Sequence, residues 1–371
     1  MANAEIKGGI TTHLSDKLLA KQALFKGTLY FFLFTVLGLA ILFFVTNTPQ
    51  TLQALKHLEL GFFIIAVILS FLDMLLGGWR NHIFIRKIKP GVSTWLCWRA
   101  NVANIFLGAI TPSQSGGGPA QIYILFRAGI SIAKAMSVCI INFIVTLIFF
   151  LIFAIFALCV VRGEFSQSAI RYLIEYGFVT FITLFGLIFL TIWKPEYLAK
   201  VIFKLPHFIW RGKWHWQNRV EKLKNKLLSS LKSYKDQCNY FLKSQPKIVF
   251  YSVVITCLLY VNKFALAYFL MRGLGINGDF FVMISIQTLL FFILYFSPTP
   301  GGSGIAELSI AGLMTILLPK HLLSIFALLH RFFLLYLPAG LGGLILLIEL
   351  KKQHREISIP NCDTDFFHQH S

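Results

Sequence analysis

Six apolar runs dominate the chain: Gly27 to Thr46, Leu60 to Gly78, Ala135 to Val161, Ile174 to Trp193, Ile248 to Leu270 and Leu322 to Leu350. A helix needs about 20 residues to cross the hydrocarbon core, and each run meets or approaches that length. Peptide groups at that depth have no water to bond, so such segments must be helical. The expected fold class is therefore an all-α polytopic membrane protein. Its 57% hydrophobic content agrees, since ordinary globular domains carry about 45–50%.

Between these runs one Pro/Gly-rich pattern is written twice. Thr111 to Gln121 reads TPSQSGGGPAQ, and Ser297 to Glu307 reads SPTPGGSGIAE. Apolar arms flank each copy: about Trp98 to Ile110 and Ala120 to Phe126 around the first, Phe280 to Phe296 and Ile305 to Leu318 around the second. The arms of the first copy are too short to span. Broken backbone at membrane depth survives where protein or a wet cavity shelters it, and a matched pair of breaks points to a transport site. The expectation is six full spans plus two re-entrant hairpins, near 98–126 and 280–318. Two full crossings per hairpin would leave every other span oriented as before, so charge does not separate the two drawings.

The formal net charge of +19 gathers in segments between the runs, which argues for topology and against nucleic-acid binding. Arg80, Arg86, Lys87 and Lys89 follow the second run, and thirteen Lys/Arg against three acids lie from Lys194 to Lys247. By the positive-inside rule both termini and this loop are cytoplasmic. The reading is then a retained cytoplasmic segment 1–26, a membrane half 27–161, an inverted second half 174–350 and a cytoplasmic tail 351–371. Within loop 194–247, Val220, Leu223, Leu227, Leu231, Tyr234, Cys238 and Phe241 recur at helical spacing among lysines. Such a helix suits an anionic lipid surface; a regulatory or self-association arm is the other reading, and a homo-oligomer is compatible with it.

Candidate substrate-path residues come from the breaks and from charges within the runs. Gly116, Gly117, Gly118, Gly301, Gly302 and Gly304 permit backbone shapes closed to other residues, and Pro119 suits a first helical position, so each break should start a fresh half-helix with N–H groups able to hold an anion. Tight helix packing is the plainer explanation of the same glycines. Beside them stand Pro112, Ser113, Gln114, Gln121, Pro298, Thr299, Ser303 and Glu307, the last either capping its half-helix, carrying a proton or meeting a cationic headgroup. Arg331 lies about 14 Å into the last run and is the strongest single candidate. Asp73 is either functional or paired with Arg80; Lys263 reads as snorkelling to the outer surface; His330 points away from Arg331. The six cysteines form no CxxC pair and no HExxH occurs, so no metal or cofactor is expected. No acid/base or nucleophile cluster is legible, which points away from an enzyme, and the absence of GxxxxGK[ST] removes the ATP-binding loop.

The two motifs, with Arg127 after the first and Glu307 closing the second, resemble the flippase-like membrane domain of bacterial lysylphosphatidylglycerol synthases and the stand-alone proteins sharing it. The likeness runs from about Leu24 to Leu350. It implies movement of lipids between leaflets of a bacterial inner membrane, with Pro112, Gly116, Gly117, Pro298, Gly301, Gly302 and Glu307 facing the lipid path. Bifunctional members carry an aminoacyltransferase domain after the membrane part; here about twenty residues follow the last run, so lipid aminoacylation is not expected. A transporter of small soluble anions and a membrane scaffold are the alternative functions.

Overall fold

The structure is a computed structural model that describes residues 21–46, 59–160, 236–295 and 297–358, with 179, 183 and 186 singly. Ten α-helices follow in order among these residues: α1 Lys21–Thr46, α2 Leu60–Ile88, α3 Thr94–Ile110, α4 Gly117–Arg127, α5 Ile132–Val160, α6 Pro246–Gly273, α7 Phe280–Tyr295, α8 Ile305–Met314, α9 Lys320–Arg331 and α10 Leu337–Ser358. There is no strand among them. Most of the fourth apolar run, the tails and 194–235 of the basic loop lie outside the described residues.

Four helical stretches among the described residues are long and apolar enough to cross a bilayer: Leu60–Ile88, Ile132–Ala157, Pro246–Gly273 and Lys320–Glu349. Large apolar side chains such as Ile64, Ile152 and Phe250 stand exposed on these helices, which in water would be prohibitive and in lipid is required. The chain is a multi-pass, membrane-embedded protein.

The last of these stretches is continuous through a π-turn, Phe332–Tyr336, that joins α9 to α10. Pro338 explains it: a proline has no N–H for the carbonyl one turn back and its ring crowds that carbonyl, so a widened turn relieves the clash. Ser70 Oγ of α2 donates to the Phe333 carbonyl at 2.6 Å, satisfying an acceptor within this turn.

The short helices come as two pairs. α3 and α4 pack on each other across a break at 111–116, and their far ends meet: Arg99 pairs with the Glu349 carboxylate and Arg127 donates to the Glu349 carbonyl. Lys89, just past α2, donates to the Ala128 carbonyl at 2.7 Å, so the start of α3 and the end of α4 lie together beside the basic end of α2. α7 and α8 form the second pair. A Cβ on Gly278 would lie 3.2 Å from Leu317, beyond α8, and 2.8 Å from Met271 of α6, which brings the outer ends of this pair together near the end of α6. That end of α6 receives the N–H of Glu59, at the start of α2, on Gly273 O.

Small residues let the first pair nest inside the bundle. Added Cβ atoms would stand 2.4 Å from Asn101 at Gly77, 2.7 Å from Trp98 at Gly78 and 2.0 Å from the Val102 carbonyl at Gly342, so α2 and α10 both close tightly on α3. Each pair has its own apolar core, with Phe84, Ala103, Ile124 and Val138 around the first and Leu270, Leu289, Ile310 and Phe326 around the second. A stack of aromatics, including Phe149 on Tyr260 at 4.8 Å, joins them.

The described end of the basic loop differs from expectation. Cys238 and Phe241 are buried, Phe241 edge-on to Phe84 of α2 at 5.1 Å. The apolar face ends in protein rather than in lipid, because Phe84 offers a wholly buried partner on the neighbouring helix.

Candidate functional site

Both breaks are built by local chemistry. Thr111 ends α3, its hydroxyl donating to the Leu107 carbonyl at 2.5 Å and accepting the Gly116 N–H at 2.8 Å, so one side chain staples the end of α3 to the start of α4. Ser113 and Gln114 take positive φ, 51° and 54°, an uncommon left-handed conformation for residues with a Cβ. The second break turns through Gly301, Gly302 and Gly304 at φ 58°, 71° and 84°, where glycine is the residue that fits without strain. The two breaks meet: Pro112 and Pro300 face each other in an isolated antiparallel bridge. Pro300, not Pro298, is the contact, and Pro298 lies exposed.

Fresh helices do begin after both breaks, at Gly117 and Ile305. Pro119 is third in α4 rather than first, which costs nothing because no residue of the first turn needs its N–H inside the helix. At the start of α8 the capping alternative for Glu307 is the one realised. Glu307 Oε2 accepts the Gly304 N–H at 2.6 Å; Gly304 has no side chain to return the bond, so only the glutamate half of a capping box is made. The carboxylate thus occupies the place where an external anion was expected.

Arg331 closes over this cap. It reaches Gly301 O through Nη1 at 2.9 Å, Ser303 Oγ through Nη2 at 3.3 Å, and Glu307 Oε1 through Nε at 3.2 Å, an ion contact without hydrogen-bond alignment. Its guanidinium also lies 5.6 Å from the Tyr336 ring centre, within cation–π range. Ser303 shares a further bond with Thr35 of α1 at 2.9 Å, while a Cβ on Gly27 of the same helix would stand 2.7 Å from Ile110 O. α1 therefore touches both breaks. Arg331 and Glu307 are 4% and 0% exposed, and at such burial each charge is tolerable because the other is there.

A cavity of about 170 Å³ opens beside this cluster. Gln114 comes to it from the first break, Gly301 from the second, Arg331 from α9, and Lys263, Tyr260 and His330 from α6 and α9. Lys263 does not snorkel outward. It donates to Asp73 Oδ2 of α2 at 2.7 Å, which also removes the proposed local pair of Asp73 with Arg80. The carboxylate faces α6, where a cation on a neighbouring helix is closer than one two turns along its own. His330 turns from Arg331 as expected and bonds Gln287 at 2.9 Å, yet its ring lines the same cavity.

Of the residues singled out in the sequence, Gln114, Gly301 and Arg331 line the cavity, Ser303 and Glu307 hold Arg331, and Asp73 acts through Lys263. Gln121 stands one step behind, accepting from the cavity-lining Asn104 at 3.0 Å. Gly116 and Gly117 are packing glycines, since a Cβ would meet Thr111 at 2.8 Å and Asn104 at 2.7 Å; Gly118 has open space. Gly302 serves the turn, and Thr299 bonds Ser297 at 3.0 Å. Ser113 is exposed. The residues missed are Lys263, Tyr260, His330, Asn104 and Pro300. A signal existed for two of them: Ser252, Thr256, Tyr260 and Lys263 recur at spacings of four, four and three, a polar stripe on one face of an otherwise apolar span.

The sequence matches the family model for the lysylphosphatidylglycerol synthase transmembrane region over residues 31–342. It is 24% identical over 294 residues to a UPF0104 membrane protein of Archaeoglobus fulgidus, covering 79% of this chain and 88% of the relative. A UPF0104 membrane protein of Methanocaldococcus jannaschii is 25% identical over 339 residues, with 87% and 95% covered. Another, of Pyrococcus horikoshii, is 21% identical over 320 residues, with 83% and 92% covered. These relatives are named as membrane proteins and carry no stated activity.

Proposed function

The chain belongs to the lysylphosphatidylglycerol synthase transmembrane-region family, and from that premise we propose that it is a lipid transporter that passes a phospholipid headgroup between leaflets through the cavity at Arg331. One observation carries the reading: two breaks far apart in sequence face each other at Pro112 and Pro300, beside a cavity whose largely apolar wall carries the cations of Arg331 and Lys263. In this reading α3–α4 and α7–α8 are re-entrant hairpins entering from opposite faces, in an inverted repeat. Its support is that the ends of the first pair gather at Glu349 and Lys89, near the basic end of α2, and those of the second near Gly273, at the other end of α2. By the positive-inside rule the basic end is cytoplasmic.

The chemistry suits a headgroup. Both cations are matched, Arg331 by Glu307 and Lys263 by Asp73, so these four side chains leave no charge unpaired. A guanidinium has five N–H donors and an ammonium three, of which hydrogen bonds within the protein engage two and one. The remaining donors can bind a phosphate while the carboxylates stay in place. The acyl chains need never leave the lipid. The small volume also favours a second reading, transport of a small soluble anion, because about 170 Å³ is below the 300–1,000 Å³ of typical ligand pockets.

Purified protein in liposomes tests the first reading. It should accelerate transbilayer movement of a fluorescent phospholipid, and Arg331→Ala should abolish the acceleration. Uptake of a soluble anion without lipid movement would decide for the second; normal lipid movement by Arg331→Ala would remove Arg331 from the path.

A further inference from the structure

Arg80 of α2, partly buried, turns its charge into the bundle with no carboxylate to meet it among the described residues. It lies eight residues before the end of α2, about 12 Å from the basic surface there. Its Nη1 turns inward, to the hydroxyls of Thr146 on α5 at 3.0 Å and Thr256 on α6 at 3.3 Å, both themselves buried, while Nε is enclosed and has no partner. Lys263 has Asp73 and Arg331 has Glu307; among the described residues no ion pair includes Arg80. Two threonine hydroxyls orient a guanidinium but do not cancel its charge. An arginine costs about 2.5–3.5 kcal/mol at the centre of a membrane helix on insertion scales; Arg80 lies nearer the end of α2, but its guanidinium turns inward rather than out to that surface, and in this setting it calls for a counter-ion.

The surroundings indicate which kind. Thr256 also lines a groove of about 370 Å³ between α5 and α6, whose walls include Val145, Ile148, Phe149 and Val253. The groove is apolar almost throughout, and the one cation bonded to its lining is Arg80 among the described residues. A free phosphate would gain nothing from such walls. A hydrocarbon chain joined to an anionic head would use both.

We propose that Arg80, oriented by Thr146 and Thr256, is a binding site for the phosphodiester head of an anionic lipid whose acyl chain lies in the α5–α6 groove. It is distinct from the cavity at Arg331, and Thr256 is one helical turn from the cavity-lining Tyr260, so a lipid held here stands next to that cavity. Binding at Arg80 requires no transport.

The full chain in lipid nanodiscs provides the test, read by lipid retention in native mass spectrometry and by Tm. Wild-type protein should retain phosphatidylglycerol over phosphatidylcholine by about tenfold, the order expected of one charge-assisted contact. Arg80→Gln should lose that preference, and in pure phosphatidylcholine should be at least as stable as wild type, because it removes an unmatched charge. Ile148→Trp, which fills the groove and leaves the arginine intact, should also weaken retention, and decides the matter should Arg80→Gln not fold. Inorganic phosphate added to phosphatidylcholine discs should not raise Tm. An unchanged preference in Arg80→Gln or in Ile148→Trp, no preference in wild type, or a rise in Tm with inorganic phosphate equal to that with the lipid would each overturn the assignment. A protein that moves no lipid in liposomes yet keeps the preference separates this site from the transport reading.

Discussion

Arg331 of α9 and Glu307 of α8 meet at 3.2 Å while the same carboxylate accepts the Gly304 N–H at 2.6 Å. One side chain thus caps the half-helix after the second break and neutralises a buried arginine. The helix dipole and the guanidinium both favour the ionised carboxylate, which is why a glutamate is affordable where nothing is exposed.

Removing one member of this pair should therefore cost far more than removing both. Arg331→Met leaves Glu307 buried and unpaired and should lower stability by about 3–5 kcal/mol. The double variant Arg331→Met/Glu307→Gln should recover most of that loss, since glutamine keeps an acceptor for Gly304, while transport stays absent. Unfolding in graded denaturant measures both, and a double variant no more stable than Arg331→Met would show that the pair is not the stabilising unit.

Asp73 and Lys263 join α2 to α6 in the same way, with side chains 5% and 15% exposed. Asp73→Asn should destabilise by more than the double variant Asp73→Asn/Lys263→Met, because the single change strands an ammonium. The double-mutant cycle should return a coupling of about 0.5–3 kcal/mol. Additive effects of the two single changes would mean that the contact contributes no stability.

The apolar runs were legible because about 20 residues without charge admit few other structures in any solvent. The breaks were legible for a related reason, since Thr111 to Gly118 and Ser297 to Gly304 cannot continue a helix. Pairing was not. Asp73 lies on α2 with Arg80 two turns on, and nothing in sequence says that the carboxylate turns toward α6 instead. The same limit hid Pro300: the motifs align Pro112 with Pro298, whereas the spatial bridge slips to the next proline. Burial of Phe241 on Phe84 was equally out of reach, because an amphipathic face looks the same whether it meets lipid or protein.

Among the glycines, geometry predicts sharply different tolerances. A Cβ at Gly342 would lie 2.0 Å from the Val102 carbonyl, backbone that cannot step aside, whereas at Gly118 it would meet nothing within 4 Å. Gly342→Ala should push α10 from α3 and cost about 1–3 kcal/mol or more. Gly118→Ala should be neutral or stabilising by up to about 1 kcal/mol, given the higher helix propensity of alanine. Equal melting temperatures for the two variants would contradict the close approach of α10 to α3.

The meeting of the breaks is open to a direct chemical check. Residues opposite each other in an antiparallel bridge have Cα atoms about 4.5–5.5 Å apart, within the range of about 4.4–6.8 Å that a disulfide spans. With the six native cysteines replaced, Pro112→Cys/Pro300→Cys should oxidise under a membrane-permeant oxidant to an internal disulfide, seen as a reductant-sensitive shift on a gel after proteolysis between the two positions. Pro112→Cys/Pro298→Cys should cross-link less, because Pro298 faces outward. If transport needs the breaks to part, oxidation of the first variant should stop lipid movement and reduction should restore it. Efficient cross-linking with full transport would mean that the bridge stays closed while substrate passes, and that the path lies on the Arg331 side of it alone.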